Sequence, residues 1–151
     1  MKAVIMAGGF GTRMRPLTYN IPKPMVPIAN RPIMEHIVTL LKKHGFEEML
    51  SILYYQPEII ENYFGDGSDF GVRMGYIRAE EDLGTAGSVR NAHIHLPDFF
   101  DDTFIIISGD LLTDFDLTGI VQFHKDKGAK VTLALTRVDD PRPYGVVITD
   151  E

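Results

Sequence analysis

Gly8, Gly9 and Gly11 follow a short apolar run, Ala3-Val4-Ile5-Met6-Ala7, and lead into Thr12, Arg13 and Arg15. Glycines this close together let the backbone turn sharply and bring its N–H groups near a ligand. Basic side chains just downstream suit an anion, and a polyphosphate most of all. Lys23 stands between Pro22 and Pro24, which fix the chain on either side of it. Its ammonium is a point charge suited to a phosphate. Much later, Phe104-Ile105-Ile106-Ile107 reads as a fully buried strand, with Ser108-Gly109-Asp110 at its carboxyl end. Ligands of open α/β sheets bind outside the carboxyl ends of strands. Asp110 is therefore placed to hold a divalent ion, or simply to cap the turn that follows.

Other readings of these residues narrow the chemistry. No Gly-Lys-Ser/Thr follows the glycines, so this is not a Walker A loop. No third glycine falls at the spacing of the dinucleotide fingerprint either. Gly8-Gly9 alone also fits a plain turn. Glu80-Glu81-Asp82-Leu83-Gly84-Thr85-Ala86-Gly87 reads as an acidic loop running into a helix that starts near Thr85 or Ala86. Asp114 and Asp116 are weaker metal candidates, and Asp116 is better placed to cap a helix from Leu117 to Lys127. His93 and His95 diverge on a helix and do not converge on one ion. His36 and His44 read as packed or solvated histidines.

The elements that must position these groups follow from periodicity. Ala3–Ala7 is a first strand. Ile33, Met34, Ile37, Leu40 and Leu41 recur at helical spacing after Pro32, and Gly45 ends the pattern. Met49–Tyr55 and Gly71–Ile77 read as strands around a short helix, Pro57–Phe64. Ala129–Val138 and a segment from Tyr144 to Ile148 read as further strands. The alternation predicts a mostly parallel sheet with helices on both faces.

Composition sets outer bounds. The sequence has 151 residues, no cysteine and a net charge of −6. The charge argues against nucleic-acid partners, and the missing cysteine excludes disulfides and thiolate metal sites. No apolar run approaches a membrane helix, and Met1-Lys2 leads into a strand rather than a signal peptide. The expected setting is cytoplasmic, with no membrane partner.

Gly8-Gly9-Phe10-Gly11-Thr12-Arg13-Met14-Arg15-Pro16-Leu17-Thr18, followed by Pro22-Lys23-Pro24-Met25, resembles the signature of the sugar-nucleotide pyrophosphorylases. That family usually has Leu where Met14 stands. Leu83-Gly84-Thr85-Ala86-Gly87 resembles the mannose-1-phosphate guanylyltransferases within it. The resemblance implies a Rossmann-like, glycosyltransferase-A-like nucleotidyltransferase fold, of which residues 1–151 make the N-terminal, nucleotide-binding part. The later Glu-Lys-Pro segment and second metal-binding aspartate of that family have no counterpart here. The implied partners are a nucleoside triphosphate, a sugar 1-phosphate and Mg²⁺, with a homo-oligomer possible.

The resemblance also assigns residues. Ala7, Gly8, Gly9, Gly11, Thr12 and Arg13 would seat the nucleotide, with Glu80, Gly84 and Thr85 toward the base. Arg13 and Lys23 would be the catalytic cations, Asp110 the metal ligand, and Gly109 and Gly145 the sugar contacts. Guanine presents adjacent N–H donors that a carboxylate satisfies, and Glu80 or Glu81 would supply it. Uridylyl-, thymidylyl- and adenylyltransferases share the pattern, as do non-catalytic pyrophosphorylase-like subunits.

Overall fold

A computed structural model describes residues 1–81, 83–142 and 145–148. The chain forms two compact units, Met1–Phe115 and Asp116–Glu151. The first contains β1 (Lys2–Ala7), β2 (Pro27–Ile28), β3 (Arg31–Pro32), α1 (Ile33–Lys43), β4 (Glu48–Leu53), α2 (Pro57–Phe64), β5 (Arg73–Arg78), α3 (Gly84–His95) and β6 (Phe104–Ser108). The second contains α4 (Leu117–Lys127).

Four strands make one parallel sheet in the order β5-β4-β1-β6. β1 pairs with β4 from Lys2↔Glu48 to Ala7↔Leu53, and with β6 from Lys2↔Phe104 to Met6↔Ser108. β4 pairs with β5 from Glu48↔Arg73 to Leu53↔Arg78. Chain order runs outward from β1 through β4 to β5, then returns to the other side of β1. The strand order therefore reverses beside β1, which opens a crevice at the carboxyl ends there. β2 and β3 form a separate two-stranded antiparallel ribbon.

The sheet is apolar on both faces, as a parallel sheet between helices must be. Val4, Leu50 and Ile52 share one face with Ala92 of α3, and Val89, Phe99, Phe100 and Phe104 pack around them. Alternation turns Ala3, Ile5, Ala7, Met49, Ser51 and Leu53 to the other face, where all are buried. Helix α1 buries Ile33, Met34, Ile37, Val38 and Leu41. Each such side chain contributes about 1.5–3 kcal/mol by leaving water.

Three expectations need correction. Phe104–Ile107 is a strand but not a fully buried one: Ile107 is buried, whereas Ile106 is 47 % exposed. Composition reveals an apolar strand but not its neighbours, and among the described residues β6 pairs only with β1. Ala129–Val138 forms no strand. Val131, Leu133 and Leu135 alternate as a strand would require, yet they are exposed. Among the described residues they have no partner strand, and a strand is defined by the ladder it forms with a neighbour. Gly145–Ile148 is likewise not a strand, and Tyr144 lies outside the described residues.

In the second unit, α4 has the expected bounds, and the Asp116 side chain caps it by accepting from the Gly119 N–H at 3.1 Å. Gly128, at φ 55°, ends the helix in the left-handed conformation that glycine adopts at low cost.

On the first unit's surface, Arg78 of β5 donates to Glu61 and Glu58 of α2, each at 2.9 Å. The hydrogen bond from Arg78 holds the Glu61 carboxyl below its usual range. A depressed folded pKa stabilises above the unfolded value and loses that contribution as pH falls through the folded one. Melting temperature should therefore fall on acidification from about pH 5 to about pH 3, and Glu61→Gln should flatten that fall. Superimposable melting profiles for the two proteins across this range would show that the pair does not couple to folding.

Candidate functional site

All four strands end at one cleft of about 230 Å³. Met6 and Ala7 of β1 contribute, followed by Gly8 and Gly9. Ile52 and Leu53 of β4 contribute with Tyr54, and Ala79 follows β5. Ser108 of β6 and Asp110 just beyond it close one side. Glu81 and the first turns of α3, through Gly84, Thr85 and Ser88, form another wall, and Pro24 adds to the lining. The cleft therefore lies where strand order reverses, as the topology requires.

The glycines do different work. At Gly8 a Cβ would lie 3.1 Å from the Tyr54 Cβ, so glycine lets the chain leaving β1 pass close to Tyr54. Gly11 has φ 60°, and a Cβ there would lie 3.0 Å from both the Lys23 Cβ and the Thr18 Cγ2. Its carbonyl accepts a 2.7 Å hydrogen bond from the buried Thr18 hydroxyl. Glycine at 11 thus allows the loop to fold down onto the base of Lys23. Gly9 has no atom within 4 Å of a would-be Cβ and no positive φ. Packing does not demand glycine there, so close approach of a ligand is the remaining physical reason for it.

Between these glycines, Phe10 packs edge-on against Tyr54, with ring centroids 5.5 Å apart, and tilted against Tyr55 at 5.2 Å. The Tyr55 hydroxyl donates to the Tyr19 carbonyl at 3.1 Å. Ring packing by Phe10 and the Tyr55–Tyr19 hydrogen bond thus tie the glycine loop and the chain beyond it to the residues after β4. Arg13 lies exposed in a single 3-10 turn, Thr12–Met14, and makes no ion pair among the described residues. Its side chain is available to a ligand.

Lys23 and Asp110 meet directly. The ammonium lies 2.7 Å from Asp110 Oδ2, and both side chains are partly exposed. Lys23 begins a 3-10 turn whose Pro24 and Met25 are buried, which anchors its backbone. Asp110 follows Gly109, whose N–H donates to the Met6 carbonyl at 2.8 Å. A Cβ on Gly109 would press on Ile5 at 3.0 Å and on Ala7 at 3.3 Å, so close packing against β1 explains that glycine.

Of the expected site residues, Ala7, Gly8, Gly9, Gly84, Thr85 and Asp110 line the cleft. Gly11 and Lys23 support it through the contacts above. Glu81, not Glu80, stands in the cleft wall. Thr12, Arg13 and Gly109 flank it in sequence, and Gly145 belongs to the other unit. Sequence reasoning did not single out Tyr54, Ala79, Ser88 or Ser108. Apart from Ser88 in α3, these sit at or just after strand ends, so strand register is the signal that identifies them. His93 packs against Phe100 at 5.5 Å, and a His95 ring nitrogen bonds the Asn91 carbonyl at 2.9 Å.

A divalent cation fits Asp110 by donor chemistry. Mg²⁺ is bound by one or two carboxylates, with waters and substrate phosphates completing its shell. Asp110 offers such a carboxylate at the cleft, with Lys23 as its present partner. Among the described residues no group of three or more His, Asp and Glu gathers as an all-protein cage.

This arrangement defines an open parallel α/β fold with its ligand cleft at a switch point. The chain belongs to the Nucleotidyl transferase family, whose profile matches residues 2–151. A UTP–glucose-1-phosphate uridylyltransferase from Synechocystis sp. is 43% identical over 162 residues, covering 100% of this chain and 42% of its own length. A mannose-1-phosphate guanylyltransferase from Mycobacterium tuberculosis is 42% identical, covering 99% of this chain and 41% of its own length. Among solved structures, HddC from Yersinia pseudotuberculosis complexed with GMP-PN matches with a TM-score of 0.71 at 28% identity, over 83% of this chain and 54% of that one. The chain thus spans about two fifths of the length of these curated relatives. Among the described residues no helix is long and apolar enough to cross a membrane.

Gly11→Ala should destabilise the fold by about 1 kcal/mol or more, through its positive φ and its contacts with Thr18 and Lys23. Gly9→Ala should change stability by less than about 0.5 kcal/mol. Urea unfolding of both variants checks the contrast, and equal losses would contradict this division of roles.

Proposed function

We propose that the protein transfers a nucleotidyl group from a nucleoside triphosphate to a sugar 1-phosphate, releasing pyrophosphate. GTP and mannose 1-phosphate are the favoured pair. The observation that carries the reading is the Lys23–Asp110 pair at a cleft formed by the carboxyl ends of all four parallel strands.

The reaction is an in-line displacement. An oxygen of the sugar 1-phosphate attacks the α-phosphorus, the bond to the bridging oxygen breaks, and pyrophosphate departs. No protein nucleophile is needed, so positioning and charge neutralisation supply the catalysis. The backbone at Gly8 and Gly9 lets the nucleotide lie against the loop. Arg13 neutralises the β- and γ-phosphates and the departing pyrophosphate. Lys23 does the same near the α-phosphate or the incoming sugar phosphate. Asp110 holds Mg²⁺, which supplies charge neutralisation at the phosphates.

Glu81 supports guanine, because it lines the cleft and a carboxylate satisfies the adjacent N–H donors that guanine offers. The M. tuberculosis relative bears a guanylyltransferase name, and HddC is described with a guanine nucleotide analogue. A uridylyltransferase reading has its own support in the Synechocystis relative, which is similar to the same degree. Retention of Arg13, Lys23 and Asp110 together favours an enzyme over a non-catalytic subunit.

A thermal-shift panel with Mg²⁺ and each of GTP, UTP, dTTP, ATP and CTP tests the base. Saturation to 100 times the dissociation constant stabilises by about 2.7 kcal/mol, which raises melting temperature measurably. GTP should give the largest shift. A larger shift with UTP would move the assignment to the uridylyltransferases. Gly9→Ala should retain the parent melting temperature and lose most of the nucleotide shift. In the active enzyme, Arg13→Ala should slow transfer about a hundredfold or more with melting temperature unchanged, and unchanged turnover would remove Arg13 from the mechanism.

A further inference from the structure

We propose that Lys23 guards Asp110 against free divalent cations, so that metal entry with the nucleotide is favoured over entry ahead of it. This inference rests on the reading of Asp110 as the metal ligand and Lys23 as a phosphate partner.

Without nucleotide, the Lys23 ammonium is 2.7 Å from Asp110 Oδ2. That is Lys23's only ion pair among the described residues. The base of Lys23 is fixed by buried Pro22 and Pro24 and by the close approach of Gly11 to its Cβ. Asp110 is fixed from the other side by the Gly109–Met6 hydrogen bond. The two charges are therefore held within reach of each other by backbone anchors 87 residues apart. The lysine spans the remaining distance on its flexible four-carbon stem.

A free dication arriving at Asp110 meets a carboxylate that is already neutralised. It must expel the ammonium into water or sit beside a like charge, and both outcomes weaken its binding. A cation bound to a nucleoside triphosphate arrives with net negative charge. Its phosphate oxygens offer the ammonium a new partner within a side chain's swing, so Lys23 releases Asp110 at little electrostatic loss. The same lysine that neutralises phosphate thereby biases entry toward the nucleotide-bound cation.

The test uses Mn²⁺ as the probe, with free aqueous Mn²⁺ followed by electron paramagnetic resonance. Mn²⁺ alone is titrated into the parent protein, Lys23→Gln, Asp110→Asn and the double variant, each shown folded by its melting curve. Lys23→Gln should bind Mn²⁺ alone roughly two- to fivefold more tightly than the parent, the range expected for releasing a partly exposed ion pair. Adding Asp110→Asn should abolish that gain. A non-hydrolysable GTP analogue should tighten Mn²⁺ binding to the parent more than to Lys23→Gln. Equal Mn²⁺ affinity in parent and Lys23→Gln, with binding lost in Asp110→Asn, would overturn the guarding role and leave Asp110 as the ligand. Mn²⁺ binding that ignores Asp110→Asn in both backgrounds would overturn the ligand assignment itself, and the guarding role with it.

Discussion

Parallel pairing of β1 with a neighbour on each side is the constraint on which the first unit depends. Because β4 and β6 both run alongside β1 in the same direction, three strands deliver their carboxyl ends to one edge. β5 adds a fourth through its pairing with β4. The register matters as much as the direction. Met6↔Ser108 and Ala7↔Leu53 set the ends of the strands level, so the residues just beyond them face a common cleft. A slip of one residue would turn every side chain to the opposite face. It would bury the wrong half of β1 and scatter the cleft.

The glycine loop depends on that edge. It leaves β1 between the ends of two paired strands, where space is limited on one side and open on the other. Gly8 and Gly11 sit on the crowded side, against Tyr54 and against Thr18 and Lys23. Gly9 sits on the open side. Phe10, placed among them, uses its ring to hold the loop against Tyr54 and Tyr55. The loop is therefore preorganised by its packing against Tyr54, Tyr55, Thr18 and Lys23. The Lys23–Asp110 pair follows from the same geometry, since one anchor packs under the loop and the other lies at the end of β6.

Much of this was legible in the sequence, for definite reasons. α2 and α4 have the expected bounds because Pro57, Gly65, Asp116 and Gly128 punctuate them chemically. β1, α1, β4 and β5 fall within about two residues of their expected limits, the usual precision for boundaries that periodicity alone defines. The exposure of β6 was not legible, because an apolar strand looks the same in sequence whether it has one neighbour or two. The same holds for residues 131–138, whose alternation describes a strand that finds no partner among the described residues. Within the site, Glu80 and Glu81 were equivalent in sequence, and only the turn after β5 puts Glu81 in the cleft wall. That Lys23 and Asp110 touch depends on sheet order, which spacing along the chain does not encode.

The central claim is that nucleotide binds in the cleft at the carboxyl edge of the sheet. Backbone amide chemical shifts, followed by NMR while the Mg²⁺ complex of a non-hydrolysable GTP analogue is added, test it most directly. The account predicts that the largest changes fall on Gly8, Gly9, Tyr54, Thr85 and Asp110, while amides near the amino ends of the strands, such as Ala3 and Met49, stay in place. Saturable changes that cluster at the amino ends, or on a helix face away from these residues, would contradict it.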